Sequence, residues 1–270
     1  MNNISAYGKT DIGLKRRRNE DGYAVETDYG LFIVADGMGG HADGDRASGM
    51  AIETVKAFIK RALSDSEITW PFGMDHSLPR EINIISSGIR LANKQIFNES
   101  KGMGTTIVVL LIKGNKAYIC HVGDSRLYRI RDNRIEQITE DHSLVADEIR
   151  QGAITREQAK NYSLRHVITR AVGTSADIKC DCTVEDIINE DMFLLCSDGL
   201  SGMLEDPEIL DIILEQKSRS AEVQKVGTKT LEPQNFRTSE HLEESCKRLI
   251  KRANEKGGAD NITVILVKRE

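Results

Sequence analysis

One stretch of the chain joins a buried-strand pattern to an acid, three glycines and a histidine. It runs Leu31-Phe32-Ile33-Val34-Ala35-Asp36-Gly37-Met38-Gly39-Gly40-His41. An apolar run of this length predicts a strand buried on both faces, with Asp36 at the point where the strand leaves the core. Glycine lets the backbone that follows approach a ligand closely. A carboxylate beside accessible backbone carbonyls offers the oxygen ligands that hard divalent cations require.

Further acids stand at the borders of other predicted strands. They are Asp198 after Met192–Cys196, Asp124 after Tyr118–Gly123, Asp260 before Ile262–Val267, and Asp21 before Tyr23–Val25. The pair Asp198-Gly199 repeats the arrangement of Asp36-Gly37, since it also follows an apolar run. We therefore expect these acids, drawn from distant parts of the chain, to converge on one rim of a sheet.

Composition and charge exclude several classes of protein. The chain has 270 residues, of which 39% are hydrophobic, enough for one large domain or two small ones. Its formal net charge of −5 gives no electrostatic footprint for nucleic acid, and the basic run Lys15–Arg18 alone predicts a solvated loop. Neither a signal peptide nor an apolar stretch of membrane-spanning length is present, so we expect a cytoplasmic protein without membrane contact.

The cysteines favour a reducing compartment. There are five, an odd number, and they lack paired CxxC spacing. Cys120 and Cys196 lie within apolar runs and are predicted core residues. Cys180 and Cys182 alternate as in a strand, which would put both thiols on one face. A zinc site there stays an alternative, although no second pair of ligands is visible.

The order of the predicted elements favours an α+β fold. Amphipathic helices are predicted over residues 47–62 and 82–96, and four strands joined by short turns are predicted between 105 and 138 as an antiparallel meander. Strands mostly follow strands, and helices come in blocks. We therefore expect two packed antiparallel β-sheets, a β-sandwich, with helices on both outer faces, rather than a parallel doubly wound sheet.

Several stretches interrupt this pattern within what we expect to be one domain over residues 1–270. Residues 140–173 are polar and broken by Gly152, which predicts a small flap inserted between strands. A short helix is predicted over 208–215, and residues 216–238, polar and aperiodic, predict a mobile loop. Residues 64–80 and 216–238 could carry partner specificity or be tolerated insertions.

Short motifs occur along the chain in an order that identifies a family resemblance. They are Arg16-Arg17-Arg18-Asn19-Glu20-Asp21, Val34-Ala35-Asp36-Gly37-Met38-Gly39-Gly40-His41, Gly102-Met103-Gly104-Thr105-Thr106, Gly123-Asp124-Ser125-Arg126, Val167-Ile168-Thr169-Arg170-Ala171-Val172-Gly173, Ser197-Asp198-Gly199-Leu200 and Gly257-Gly258-Ala259-Asp260-Asn261-Ile262-Thr263. Together they resemble the metal-dependent protein phosphatases, the type-2C or PPM family, and in particular its compact bacterial members. The resemblance is collinear from Gly8 to Val267 apart from residues 64–80 and 216–238.

This resemblance implies a β-sandwich flanked by helices and the hydrolysis of phosphoserine and phosphothreonine in proteins with Mn²⁺ or Mg²⁺. It also implies a set of ligands for two or three ions. Asp36 resembles the acid that bridges two ions, and Asp198 and Asp260 match the other ligands of the first. The Gly37 carbonyl and the pair Glu20 and Asp21 match the shell of the second, partly through water. Asp124 matches the acid that holds a third ion with Asp198, although alone it could anchor a turn.

Two further residues resemble catalytic groups of the family. Arg16 resembles the arginine that clamps the phosphate, for which its planar fork is suited. His41 is the candidate acid that protonates the departing serine or threonine oxygen. Two cations about 3.5–4 Å apart would activate a shared water for in-line attack on phosphorus, so no covalent nucleophile is needed.

The resemblance implies phosphorylated proteins as partners, as targets of a Ser/Thr kinase whose signalling the enzyme would reverse, and we expect a monomer. A second hypothesis, from another class, is a non-catalytic phosphoprotein-binding scaffold that retains the fold. A missing metal ligand among the acids would favour that hypothesis, and every acid of the set is present.

Overall fold

A computed structural model describes residues 4–39, 43–65, 67–99, 102–159, 162, 164, 167–223 and 238–270. Within them the chain forms eleven strands and seven α-helices. The strands are β1 (Ile4–Asp11), β2 (Asp21–Glu26), β3 (Leu31–Met38), β4 (Gly104–Thr105), β5 (Ile107–Lys113), β6 (Lys116–Val122), β7 (Arg126–Arg131), β8 (Arg134–Gln137), β9 (Asp181–Asp186), β10 (Met192–Cys196) and β11 (Ile262–Arg269). The helices are α1 (Asp43–Ser64), α2 (Arg80–Glu99), α3 (Leu144–Arg150), α4 (Arg156–Ala159), α5 (Asp198–Ser201), α6 (Asp206–Val223) and α7 (Thr238–Glu255).

The strands form two sheets whose paired neighbours are all antiparallel. One sheet has the order β1-β11-β10-β7-β8, and the other has the order β2-β3-β5-β6-β9 with β4 paired to β3. The first and last strands of the chain lie side by side, with Ile4 opposite Arg269. The predicted β-sandwich of antiparallel sheets is confirmed.

Strand β3 is buried on both faces, as its apolar run predicts. Phe32 and Val34 face the sheet that contains β11 and pack between the two sheets against residues such as Phe193. Leu31 and Ile33 point the other way, into the core beneath α1 and α2. Burying each such side chain contributes about 1.5–3 kcal/mol relative to leaving it in water, which fixes the strand and the acid at its end.

Each sheet carries a helix pair on its outer face, which confirms the predicted layers. The apolar stripe of α1, from Ala47 through Val55 to Ala62, packs with α2 on the β3 sheet. Helices α6 and α7 cover the β11 sheet in the same way through a separate apolar cluster. The core therefore has three layers: one between the sheets and one under each helix pair.

The predicted meander between residues 105 and 138 is wrong. Strands β5 and β6 belong to one sheet, whereas β7 and β8 belong to the other. The chain crosses between the sheets at Gly123-Asp124-Ser125, where Gly123 has φ of +105° and a Cβ there would lie 2.6 Å from the Thr106 side chain. Glycine is required for both reasons. The local sequence pattern predicts both hairpins correctly, but it does not show that they belong to different sheets.

One helix also departs from the sequence prediction. Helix α6 begins at Asp206 and continues to Val223, so residues 216–223, expected in a loop, are helical, and α7 starts at Thr238. The helix continues here because residues 216–223 include Gln, Lys, Arg, Ala and Glu, which favour helix even where no apolar stripe is present. Residues 224–237 lie outside the described residues. Within the described parts of the chain, no helix combines the length and apolar character needed to cross a bilayer.

Cys120 is buried in the core, as predicted, and it forms a disulfide with Cys182 that the sequence did not predict. The two residues are directly opposite in β6 and β9, with Cα atoms 4.1 Å apart. The zinc alternative at Cys180 and Cys182 is therefore wrong, because the Cys182 sulfur is already bonded. The disulfide also departs from the expectation of a chain whose thiols all stay reduced.

Candidate active site

The predicted acids lie at one end of the two sheets. Asp36 is near the end of β3, and Asp21, the first residue of β2, is its direct cross-strand neighbour. Asp198 begins α5 just after β10, and Asp260 stands two residues before β11. Asp124 is the middle residue of the crossover between the sheets. The ends of several strands and one crossover thus form a single acidic rim.

The electrostatics of Asp36 show how close these acids are. Burial raises the pKa of Asp36 well above its usual range, and the charges of Asp21, Asp198, Asp124 and Asp260 raise it further. A charge has such an effect only at short range or in a poorly screened interior. The structure therefore brings these aspartates together around Asp36.

Two of the acids carry a buried oxygen that finds no hydrogen-bond donor among the described residues. They are Oδ1 of Asp21 and Oδ1 of Asp124. Burial, and secondarily the charge of Asp198, raises the pKa of Asp124 to about 7. Burial likewise raises the pKa of Asp21 to about 7, against two hydrogen bonds that lower it. Buried carboxylate oxygens without a donor are costly, so each has unused capacity for a cation.

The other oxygen of Asp21 is held firmly from the β11 sheet. Ser197 Oγ and Thr263 Oγ1 each donate to Asp21 Oδ2 over 2.7 Å. The Thr263 N–H in turn donates to Ser197 Oγ over 3.0 Å. This triangle joins the strand ends of both sheets at the rim. Sequence reasoning assigned no role to either hydroxyl, although both lie in the short motifs that carry the family resemblance.

Thr106 makes a corresponding link on the other side of Asp36. Its Oγ1 accepts the Asp36 N–H over 3.0 Å and shares a 2.7 Å hydrogen bond with Ser125 Oγ. The Thr106 N–H donates to the Asp36 carbonyl over 2.8 Å. The backbone positions of Asp36 and Asp124 are therefore coupled through one buried threonine.

Arg16 lies over the rim in a loop that Asn261 anchors. Asn261 Nδ2 donates to the carbonyls of Ile12 and Arg18, each over 2.9 Å, and so brackets the loop at both ends. Arg16 Nη2 lies 2.6 Å from Asp260 Oδ2. The hydrogen bond to Asp260, together with the charges of Asp260, Asp36 and Glu20, raises the pKa of Arg16 against a smaller effect of burial. Arg16 is half-exposed, so its guanidinium faces both the acids and solvent.

Glu20 and Gly37 lie together beside the start of α1. The Gly37 N–H donates to the Glu20 carbonyl over 3.1 Å, and the Glu20 N–H donates to Asn261 Oδ1 over 2.8 Å. A Cβ on Gly37 would lie 2.0 Å from the Gly44 carbonyl oxygen, so the backbone there needs glycine. His41 lies outside the described residues.

The chemistry of the rim fits hard divalent cations. Its donors are all oxygen, and the Asp21 and Asp124 oxygens without donors are available. Within the described residues, no three Asp, Glu, His or Cys side chains stand close enough together to hold an ion by themselves. An ion at this rim would therefore draw on carbonyl and water oxygens as well as carboxylates, with some of the acids reaching it through water, as is usual for Mg²⁺ and related ions.

Comparison with known proteins gives a consistent result along the whole chain. A family model described as protein phosphatase 2C matches residues 15–245. The chain is 36% identical over 268 residues to the serine/threonine phosphatase stp of Listeria welshimeri, covering 97% of this chain and 94% of that relative. The solved serine/threonine phosphatase of S. agalactiae gives a TM-score of 0.77 at 32% identity, covering 99% of this chain and all of that one. The catalytic domain of PstP, solved in complex with two manganese ions, gives a TM-score of 0.73 at 30% identity, covering 98% and 97%.

Proposed function

Since this chain belongs to the protein phosphatase 2C family and is a protein serine/threonine phosphatase, we propose that the acidic rim around Asp36 is its active site. The observation that carries the proposal is that Asp36 lies directly opposite Asp21, at a rim where the buried Oδ1 atoms of Asp21 and Asp124 have no donor among the described residues. Clustered buried carboxylates repel one another, and bound cations would offset that repulsion. Nothing in the described residues favours the alternative of a non-catalytic scaffold.

The proposed ligands would hold two or three ions, Mn²⁺ or Mg²⁺. The two manganese ions of the PstP structure support this proposal for a related chain. Asp36 would bridge two ions, with Asp198 and Asp260 completing one shell. The Gly37 carbonyl, Glu20 and Asp21 would serve the other, and Asp124 with Asp198 a third ion. When bound, such cations lower the pKa of a water, so that it can lose a proton and attack phosphorus, and their positive charge offsets the repulsion between the carboxylates and the phosphate.

Arg16 is the residue that we propose binds the phosphate of the substrate. Its planar guanidinium can donate two parallel hydrogen bonds to phosphate oxygens. The loop bracketed by Asn261 holds it at the mouth of the rim, where it is half-exposed. Arg16→Lys keeps the charge and removes the fork, so we expect KM to rise more than kcat falls.

We propose His41 as the acid that protonates the departing oxygen. A serine or threonine alkoxide is a poor leaving group, whereas an aryl oxide needs little help. His41→Ala should therefore lower the rate with a phosphothreonine peptide more than the rate with an aryl phosphate. Equal losses with the two substrates would argue against this role.

The metal assignment is tested by Asp36→Asn. Hydrolysis of an aryl phosphate and of a phosphothreonine peptide is measured with Mn²⁺, with Mg²⁺ and after EDTA treatment, beside calorimetric titration of Mn²⁺ into the metal-free protein. We expect the variant to lose both Mn²⁺ binding and turnover. Activity that survives in Asp36→Asn and in EDTA would refute the assignment.

The substrates are phosphorylated proteins, as the family requires. We propose that they are the targets of a Ser/Thr kinase whose effect this enzyme reverses, and that it acts as a monomer of one catalytic domain over residues 1–270 with a flap at about 140–173. Comparing the phosphoproteins of cells with and without the enzyme would identify the substrates. Sedimentation of the purified chain would test the assembly state.

A further inference from the structure

His142 holds the backbone that leads into Asp124 from two sides. The Gly123 N–H donates to His142 Nδ1 over 3.0 Å. The His142 N–H donates to the Gly123 carbonyl over 3.0 Å. Both polar groups of Gly123 are thus bound by one residue whose exposed fraction is 3%. The crossover that carries Asp124 is fixed here by hydrogen bonds rather than by apolar packing alone.

The pattern of hydrogen bonds sets the tautomer of the His142 ring. Because Nδ1 accepts the Gly123 N–H, the ring proton is on Nε2. That N–H faces Asp181 Oδ2 at 3.0 Å, and Asp181 Oδ1 accepts from Arg170 Nη1 over 2.9 Å. A chain of polar contacts therefore runs from the crossover through His142 and Asp181 to Arg170, in the returning part of the flap.

Two further contacts fix the plane and the backbone of His142. The ring of His121 stacks on it, with centroids 4.6 Å apart and an interplanar angle of 15°. His121 is itself held by a 2.8 Å hydrogen bond between its Nε2 and the Glu140 carbonyl. The His142 carbonyl accepts the Thr169 N–H over 2.8 Å, so the entry and the exit of the flap meet at this residue.

Asp124 depends on this arrangement because its carboxylate has few anchors of its own. Its Oδ1 is buried without a donor among the described residues. On the C-terminal side the chain is held by the bond between Ser125 and Thr106. On the N-terminal side it is held by His142. The direction of the Asp124 carboxylate therefore depends on how its neighbours Gly123 and Ser125 are held.

We propose that His142 is a positioning residue that orients Asp124 for cation binding, and that Asp181 and Arg170 link the orientation of the His142 ring to the flap. This inference rests on the proposed function of the rim. Groups that orient a metal ligand typically change metal affinity about 10- to 100-fold when they are removed. A buried histidine with a purely structural role would change the stability of the fold and leave metal affinity near the wild-type value.

Two substitutions separate the two ends of the ring. His142→Asn places an amide oxygen near the position of Nδ1, where it can accept the Gly123 N–H, but it cannot reach Asp181. His142→Gln places its amide near the position of Nε2, where it can donate to Asp181, but it leaves Gly123 without an acceptor. Both substitutions remove the ring that stacks on His121, so each controls for the loss of that contact.

The readout is calorimetric titration of Mn²⁺ into the metal-free full chain, with thermal unfolding recorded in parallel. For His142→Gln we expect the weakest Mn²⁺ dissociation constant to rise about 10- to 100-fold. His142→Asn should stay much closer to wild type, although both variants unfold at lower temperature. Equal Mn²⁺ affinities in the two variants, or wild-type affinity in His142→Gln, would overturn the proposal.

Two more variants keep the outcome decisive. Where neither His142 variant folds, Asp181→Ala at a carboxylate 40% exposed takes their place: Asp181 holds the His142 ring proton on Nε2, so its loss allows the tautomer in which Nδ1 no longer accepts from Gly123, a constraint that the amide of His142→Asn does not need. Weaker Mn²⁺ binding would then support the proposal, and unchanged binding would overturn it. Asp36→Asn separates this inference from its premise. If Asp36→Asn binds Mn²⁺ like wild type, the proposed site itself fails. If it loses Mn²⁺ while His142→Gln does not, only the role of His142 fails.

Discussion

Thr106→Val removes one hydroxyl at the junction between two proposed metal ligands and keeps the outline of the side chain. Thr106 is fully buried. Its Oγ1 accepts the Asp36 N–H over 3.0 Å and bonds to Ser125 Oγ over 2.7 Å. The substitution therefore tests whether these bonds hold the rim in place or only accompany it.

The expected magnitude follows from the two partners that are left behind. The Asp36 N–H would become a buried donor without an acceptor, which costs about 1–3 kcal/mol. The bond to Ser125 contributes about 1 kcal/mol more, because that hydroxyl has some freedom to rotate toward another acceptor. The sum is a loss of about 2–4 kcal/mol in the free energy of unfolding. The methyl group that replaces the hydroxyl in valine offsets little of this loss in stability, since valine and threonine are not interchangeable in a packed core.

Urea denaturation of the metal-free protein measures this cost, and kcat/KM with Mn²⁺ and a phosphothreonine peptide measures its effect on the site. Thr105→Val is the matched control. Thr105 Oγ1 donates to the Asp36 carbonyl over 2.9 Å, but that carbonyl keeps the Thr106 N–H, so the loss should be about 1 kcal/mol. A loss below about 0.5 kcal/mol in Thr106→Val, the range of surface substitutions, with unchanged kcat/KM would refute the reasoning.

Two further predictions concern glycines and cysteines. Gly37→Ala should prevent stable folding because a Cβ there would lie 2.0 Å from a backbone oxygen, whereas Gly49→Ala in α1 meets nothing within 4 Å and should stabilise the fold by about 0.5–1 kcal/mol; thermal unfolding of both variants checks this. Of the five cysteines, three are free and two, Cys120 and Cys182, form the disulfide, so unreduced protein unfolded in guanidinium should give three thiols with a chromogenic disulfide reagent, and five would mean that the bond is absent.

The part of the fold that the sequence predicted follows from patterns that neighbouring residues carry. The run Leu31–Ala35 has no polar position, and both faces of β3 are buried as a consequence. The stripe in α1 likewise specifies a helix with one face on a sheet. Acids next to such runs had to lie at strand ends, which is why the convergence around Asp36 could be expected from the sequence alone.

Features that depend on partners far apart in sequence could not be predicted in this way. The crossover at Gly123 places β6 and β7 in different sheets, yet the two hairpins look continuous in sequence. The roles of Thr106 and His142 come from hydrogen bonds to residues up to 70 positions away, and single hydroxyls and imidazoles carry no periodic signal. The pairing of Arg16 with Asp260 spans 244 positions and follows from the loop that Asn261 holds.

The rim is held mainly by backbone and hydroxyl contacts rather than by opposite charges, and this has a consequence for stability. Burial and four neighbouring carboxylates raise the pKa of Asp36, so at high pH its charge opposes folding of the metal-free protein. The raised pKa means that the native state binds more protons than the unfolded state, and wild-type stability should fall as pH rises through the native pKa of Asp36. Asp36→Asn removes that charge.

After EDTA treatment we expect the Asp36→Asn variant to be more stable than wild type at pH 8 and this difference in stability to shrink as pH is lowered, while the variant loses phosphatase activity with Mn²⁺. Urea denaturation across this pH range checks both parts. A variant less stable than wild type at pH 8 would mean that Asp36 contributes more through its contacts than its buried charge costs, and would refute the inference that repulsion among the carboxylates lowers the stability of the metal-free protein.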